Sequence, residues 1–590
     1  MPRSHATHRA VSGARHAPAR SRADLVEALL GDPTAPGNPA GHPALLAADR
    51  AGVVPAEAEA LLDQAGMGAE FVPRELGGRF DSPEALVRVL RPVFRRDAAL
   101  GMGYGLSSFL AASGVWLSGS AEQRSWLGRL LLDGSRVSVA HHETAHTNDV
   151  LRGSLSVGRG VGDLFVTGNK PVVDNLRRAD GLVLFCRTGE RQDDAAQSAL
   201  LLDPRRLPAD RYRVTAPSTV GPSGPRAYFH AGARFDACPA PPGALLGPPG
   251  GGMATALRSW HISRALTASL AVPTVDASLH ATVLAGGTHR AGDVGTTRPE
   301  QRYVASTLAG AFVDLLVYDS LALVATRALQ LAPTEAGIHS AAVKSLLPRI
   351  LPRTMYDMAT ILGAGFHAVD GTAVVFRKRL GDLSLLSLGH ADTAACQATI
   401  IPQLKRLARD SWFTRDEAPA ELFVPGARMP PFHFGELAVA SGGESLSATL
   451  LAVAVALPGR GPVPRTLRTL TDRMIVELSA LRDGVLGLPS SVPGEPVGAR
   501  WFALAERYAL VLAAAAVLGV WRQQHGGDDA FLADPAWPTA ALHRIGRLLG
   551  VGDVELPREC SSRVHQEVLA RFADGRHYDL YGARLTGHPR

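Results

Sequence analysis

Between Val137 and about Leu246 the apolar residues of this chain alternate at a spacing of two, whereas on both sides they recur every three to four residues. A strand turns successive side chains to opposite faces, and a helix returns to one face after three or four. The two patterns cannot share a register, so the chain must fold as helices, then a small β-domain, then helices again. The first helical stretch includes ADLVEALL, PAEAEALLDQAG, SPEALVRVLRPVFRRDAAL and AEQRSWLGRLLLDG, interrupted by the stop signals Pro73, Gly77 and Gly78. The alternating stretch predicts strands at VSVA, LSVG, LFVTG, GLVLFCRT, ALLLD and YRVTA, separated by Gly, Pro and Asp turns. Beyond Gly250 long Ala- and Leu-rich helices return. The expected fold class is α+β: an N-terminal helical domain over 23–136, a middle β-domain over 137–247, a helical bundle over 248–407 and a further helical domain over 408–590.

A chain of 590 residues exceeds what one core supports and predicts three to four domains. Its 46% apolar and 20% charged content is that of an ordinary globular protein. The longest apolar run, Tyr508 to Trp521, falls short of the roughly 20 residues a membrane helix needs, and it reads as a buried helix with no membrane partner. Net charge is +6, but the arginines are scattered rather than clustered with aromatics, so no nucleic-acid partner is expected. Residues 1–22 form a basic segment without an apolar stretch, which predicts a disordered start rather than a secretory signal. Cys186, Cys238, Cys396 and Cys560 make no C-x-x-C, which fits a reducing, cytoplasmic setting. His142, Glu143 and His146 spell H-E-x-x-H, but that motif binds zinc only on a helix. Val137 and Val139 favour strand followed by loop, so no metal is expected there. Gly158 to Gly162 reads as a hairpin turn rather than a phosphate loop.

Four pieces of the chain together resemble the acyl-CoA dehydrogenase and oxidase superfamily. Val72-Pro73-x-Glu75-x-Gly77-Gly78 is followed by Arg96-Asp97 and then by Gly119-Ser120-x-Glu122-Gln123. In the β-domain, Glu143, Asp149, Gly168, Lys170, Asn175, Ala179 and Asp180 fall on the family's TE-x-x-x-GSD and G-x-K-W-x-I-T-N pattern. The resemblance covers residues from about 25 to 407 and implies the α–β–α fold, bound FAD, an acyl-thioester substrate and a homodimer or homotetramer. The modest basic balance then fits a CoA phosphate or an acidic acyl carrier protein.

The positions that the resemblance assigns to chemistry depart from the pattern. Of those implied to touch the flavin, Ala140, His142, Asn148, Val172 and Asp174 lie in the β-domain, with His142 for Thr, Asn148 for Ser, Val172 for Trp and Asp174 for Thr. Thr360, Gly363 and Asp392 lie in the bundle. The family's base is a carboxylate, which a dry pocket tunes towards neutrality. His390 stands at that position, after Leu362-Gly-Ala-Gly-Phe366 and Asp382, and an imidazole takes up a proton near neutral pH. At the alternative base position Ser263 precedes Arg264, the arginine implied to steady the thioester, and His261 replaces its Asp companion. Three chemistries stay open: dehydrogenation with His390 as base, monooxygenation on the same fold, or a member without flavin that binds or performs a non-redox step.

Overall fold

In the computed structural model the described residues are all except 1–17, 142, 144–152, 160–162, 189–196, 217–229, 293–297, 389–392, 458–459, 490–497, 526, 528, 552 and 588–590. They form two compact units, residues 1–263 with 432–435 and residues 264–431 with 436–590.

The first unit opens with helices α1 (Ala19–Leu30), α2 (His42–Ala51) and α3 (Ala56–Gln64), followed by α4 (Pro83–Arg96), α5 (Ala98–Gly101), α6 (Ser107–Ser118) and α7 (Ala121–Leu132). The basic segment expected to be disordered through residue 22 is already helical from Ala19, because Arg22 is drawn inward to Glu70 at 3.0 Å. Arg79 meets the same carboxylate at 2.8 Å, so one buried anion satisfies two buried cations. Sequence-local caps set the helix starts. Ser82 accepts from Ala85 N ahead of Pro83, and Ser120 and Gln123 form a reciprocal capping box. The Val72-to-Gly78 turn closes because Gly77 takes φ 88° and a Cβ on Gly78 would lie 1.8 Å from Val72 O.

The β-domain is one mixed sheet of β1 (Arg136–Ala140), β2 (Ser156–Arg159), β3 (Leu164–Asp174), β4 (Ala179–Arg187), β5 (Gln197–Leu202), β6 (Tyr212–Thr215) and β7 (His230–Ala240). Its order is β1-β4-β2-β3-β7-β6, with β5 added to β4. β1 and β2 run parallel to β4, and the other pairs are antiparallel. Six strands lie where alternation predicts them. β7 was not among the predicted strands, because its Ala- and Gly-rich start lacks intrinsic strand preference and acquires it only by pairing with β3 along its length.

From the end of the first unit α8 (Gly252–Gly292) runs into the second, which continues with α9 (Arg298–Leu331), α10 (Ala336–Leu362), α11 (Gly371–Leu388), α12 (Thr393–Ile400) and α13 (Leu404–Asp410). α14 (Leu446–Ala456), α15 (Pro462–Leu486), α16 (Ala499–Gln523), α17 (Ala536–Leu549) and α18 (Arg558–Ala573) complete it. The helix around the Tyr508 run is 25 residues long, well beyond the apolar stretch itself. Among the described residues, four helical segments reach the length and hydropathy of a membrane span, but 78–100% of each apolar window is buried inside the protein. Helices apolar all round are what a layered helical core requires. α9 lies within such a core, packed on α10, α16, α17 and α18.

Candidate functional site

Residues that match the family pattern in the β-domain build its frame. Lys170 Nζ donates to Glu143 Oε1 at 3.0 Å and to His141 O at 3.1 Å. Ser154 donates to Glu143 Oε2 through both N and Oγ at 2.8 Å, and Leu155 N donates to Oε1 at 3.2 Å. Burial alone would raise the Glu143 pKa, but Lys170 and Ser154 outweigh it and hold the carboxyl at about 2. One carboxylate therefore clamps the chain on both sides of residues 144–152 to β3. Gly168, at φ 126°, lets β3 pass Leu155 where a Cβ would come within 2.9 Å of its Cα. Asn175 adopts φ 57° and donates through Nδ2 to Gly103 O and Ser107 Oγ, tying the turn after β3 to the preceding helices. Asp180 meets Arg205 at 3.3 Å. Glu143 is thus an ion-pair anchor, and the H-E-x-x-H reading loses its general base; the two histidines of that motif lie outside the described residues.

The expected flavin-facing positions sit beside this frame. Ala140 is fully buried at the end of β1. Val172 and Asp174 are half-buried on one face of β3, with Val173 between them turned into the core. Asp174 pairs in register with His230 on β7, and its Oδ1 lies 3.0 Å from His230 Nε2. Ser138 Oγ donates to Asp174 O at 2.6 Å, bringing the end of β1 against the same spot. Burial would lower the His230 pKa, but the hydrogen bond and charge of Asp174 raise it. Sequence reasoning missed His230 because β7 itself was missed. Its signal would have been a histidine opening a strand that pairs with the end of β3. His141 is buried between Phe185 and Trp260, with ring centroids 4.1 and 4.9 Å away. His142 and Asn148 lie outside the described residues.

The bundle positions are dispersed. His261 and Ser263, on the first-unit part of α8, are 0% and 3% exposed. Arg264, on the second-unit part, is fully buried, donating through Nη1 to Thr399 Oγ1 at 3.0 Å and through Nη2 to Ala395 O at 3.5 Å. It holds α8 to α12, and it is neither a surface charge nor a side chain presented to solvent. Thr360 is exposed on α10, donating to Asp357 O and meeting Tyr303 Oη at 2.8 Å. Gly363 ends α10 at φ 54°. Asp382 is buried and takes Lys378 at 2.7 Å. His390 and Asp392 lie outside the described residues.

Among the described residues, those at the end of β3 suit one edge of a flavin. Val172 and Asp174 offer a half-buried apolar contact and a protonable pair on the outward face of β3. The Arg264 guanidinium on α8, which the resemblance assigns to the thioester, is engaged within its own unit.

No protein-family model matches the chain. It is 27% identical over 237 residues to the mitochondrial short-chain specific acyl-CoA dehydrogenase of Mus musculus, a match covering 40% of this chain and 56% of that protein. The chain thus spans about half the length of that curated relative. An acyl-CoA dehydrogenase from Bacillus anthracis, solved in complex with FAD, superposes with TM-score 0.64 at 13% identity, covering 94% of this chain and 95% of the other. That coverage takes in the C-terminal helices as well. Glutaryl-coenzyme A dehydrogenase in its glutaryl-CoA complex gives TM-score 0.56 at 17% identity over 68% of this chain and 96% of its own. A prolyl acyl carrier protein oxidase gives 0.53 at 16% over 65% and 97%. With the α–β–α order shared with these structures, the chain has the acyl-CoA dehydrogenase fold, and part of it is similar in sequence to a member of that family.

Proposed function

We propose that this protein is a flavin-dependent oxidoreductase that acts on an acyl thioester, carried by CoA or by an acyl carrier protein, with a histidine in place of the superfamily's glutamate. The observation that carries the reading is the β-domain frame. Glu143, Lys170, Gly168 and Asn175 are all engaged in shaping the strand ends around Val172 and Asp174. A frame kept while its ligand-facing side chains change is what a remodelled pocket requires. The relatives supply the substrate class: one is solved with glutaryl-CoA and another is an acyl carrier protein oxidase.

FAD, when bound, supplies the two-electron acceptor. Val172 and the Asp174–His230 pair would hold it from the β-domain, and the imidazole of His390 would accept the substrate proton. An imidazole suits that role because its ordinary pKa lies near 6.5, so it is available as a base at neutral pH without the dry pocket a carboxylate needs. Subunit association into a homodimer or homotetramer belongs to the same reading.

The absorption spectrum of the purified protein tests it. We expect bound flavin, released on denaturation, and anaerobic bleaching by an acyl-CoA or an acylated carrier protein. His390→Ala should slow bleaching by about 10²-fold. A colourless protein that takes up no added FAD refutes the redox reading and leaves the flavin-free alternative. Flavin that ignores thioesters but consumes oxygen when reduced by NADH favours the monooxygenase.

A further inference from the structure

The end of β3 carries a titratable pair that the superfamily pattern does not contain. A threonine at position 174 would offer a hydroxyl donor, but an ionised aspartate only accepts hydrogen bonds. Asp174 is not replacing that donor directly, because its Oδ1 is engaged by His230 Nε2 at 3.0 Å across the β3–β7 pair. The side chains of Asp174 and His230 are 23% and 22% exposed, so both reach the outward face while remaining partly desolvated. Two strands paired in register hold them, and Ser138 pins the Asp174 backbone from β1. An imidazole oriented by a carboxylate has a defined ring plane and, once protonated, a donor on each nitrogen.

Resting on the flavin reading above, we infer that His230 replaces the lost hydroxyl as the donor at the cofactor edge, with Asp174 as its positioning residue, so that flavin affinity depends on a proton carried by this pair. With His230 protonated, the pair is neutral overall and offers a donor to the ring's acceptor nitrogen and carbonyl groups. With His230 neutral, Asp174 leaves a net negative charge against those same acceptors. The charged residues on the packed elements are Asp174 and Lys170 on β3, Arg234 and Asp236 on β7, Arg213 on β6, Arg136 on β1, and Arg177 and Arg178 in the turn after β3; Lys170 is committed to Glu143, and Arg136 and Arg178 to Glu59. Asp174 is the charge that governs the ring, and its bond and proximity together raise the proton affinity of His230 above that of a free imidazole. Affinity therefore falls as pH rises through a value above the ordinary 6.5.

The test is FAD binding by full-length protein, followed by flavin fluorescence quenching between about pH 5 and 9. Wild type should bind at least about tenfold more weakly at the alkaline end, with one inflection. His230→Gln should remove the inflection, and Asp174→Asn should move it down by about one pH unit. Thermal melting of each variant confirms that it is folded. If Asp174→Asn fails to fold, Asp174→Thr, which restores the family donor, should bind FAD with the weakest pH dependence of all. Tight binding that is flat with pH, or an inflection that survives in His230→Gln, overturns this inference and leaves the flavin reading intact. No FAD binding at any pH overturns both.

Discussion

Lys170→Met should loosen the β-domain locally and by an amount the ion pair sets. The side chains of Lys170 and Glu143 are 3% and 6% exposed, and their charged atoms lie 3.0 Å apart. The gap between an ordinary 4.5 and about 2 for Glu143, at about 1.36 kcal/mol per pH unit, corresponds to about 3 kcal/mol of stabilisation. Ser154 and Leu155 also donate to Glu143 and remain in the variant, so the loss from removing Lys170 alone should be about 2 kcal/mol. The readout is hydrogen–deuterium exchange of peptides covering 136–143 and 164–174, which should accelerate by about 30-fold at neutral pH. Because the folded-state pKa of Glu143 is depressed, this contribution is complete above about 4.5 and is lost as pH falls towards about 2. The wild type should therefore approach the variant's exchange rates in acid. Exchange within about threefold of wild type at neutral pH, or strict additivity in a Glu143→Gln/Lys170→Met cycle, would refute the clamp.

Gly78→Ala should cost more than about 2 kcal/mol, read from a urea melt, because the added carbon meets Val72 O at 1.8 Å; Gly243→Ala, with nothing within 4 Å, should stay within about 0.5 kcal/mol. Arg264→Met should lower stability by about 2 kcal/mol, since Thr399 and Ala395 lose a donor inside the second unit; an unchanged melt would free Arg264 for a ligand role. Glu444 is fully buried, where it accepts from Tyr508 Oη at 2.9 Å and from Ser447 Oγ at 2.5 Å, and burial pushes its carboxyl up. Its contribution is thus complete below about 4.5 and declines as pH rises towards the raised folded value. Glu444→Gln should flatten that decline in urea midpoints taken between about pH 4 and 8, and an unchanged slope counts against a protonated Glu444.

The legible part of this chain was the part encoded locally. Helix starts at Ser82 and Ser120, the Gly77-Gly78 turn and six strands lie where spacing and stop signals put them. Local steric and capping preferences act within a few residues, so they are written in short motifs. β7 was not legible in this way, because Ala231, Gly232 and Ala233 have no strand preference of their own and are held by β3, about sixty residues earlier. Missing β7 also hid His230. Arg264 shows the same limit from the other side. Its place in the motif implied a ligand, and only packing of α8 on α12 reveals that its guanidinium is internal.

By itself, the sequence determined the α–β–α order and the resemblance to the superfamily, under which His390 and Ser263 stand where a carboxylate base is expected. Tertiary structure alone decided that Glu143 is an anchor and that Asp174 has a histidine partner. The reason is physical. Periodicity and caps report the free energy of neighbours along the chain, whereas a charge is assigned to anchoring or to chemistry by partners the chain brings from far away. Glu143 and Lys170 stand 27 residues apart, and Asp174 and His230 meet only because two strand ends fall in register.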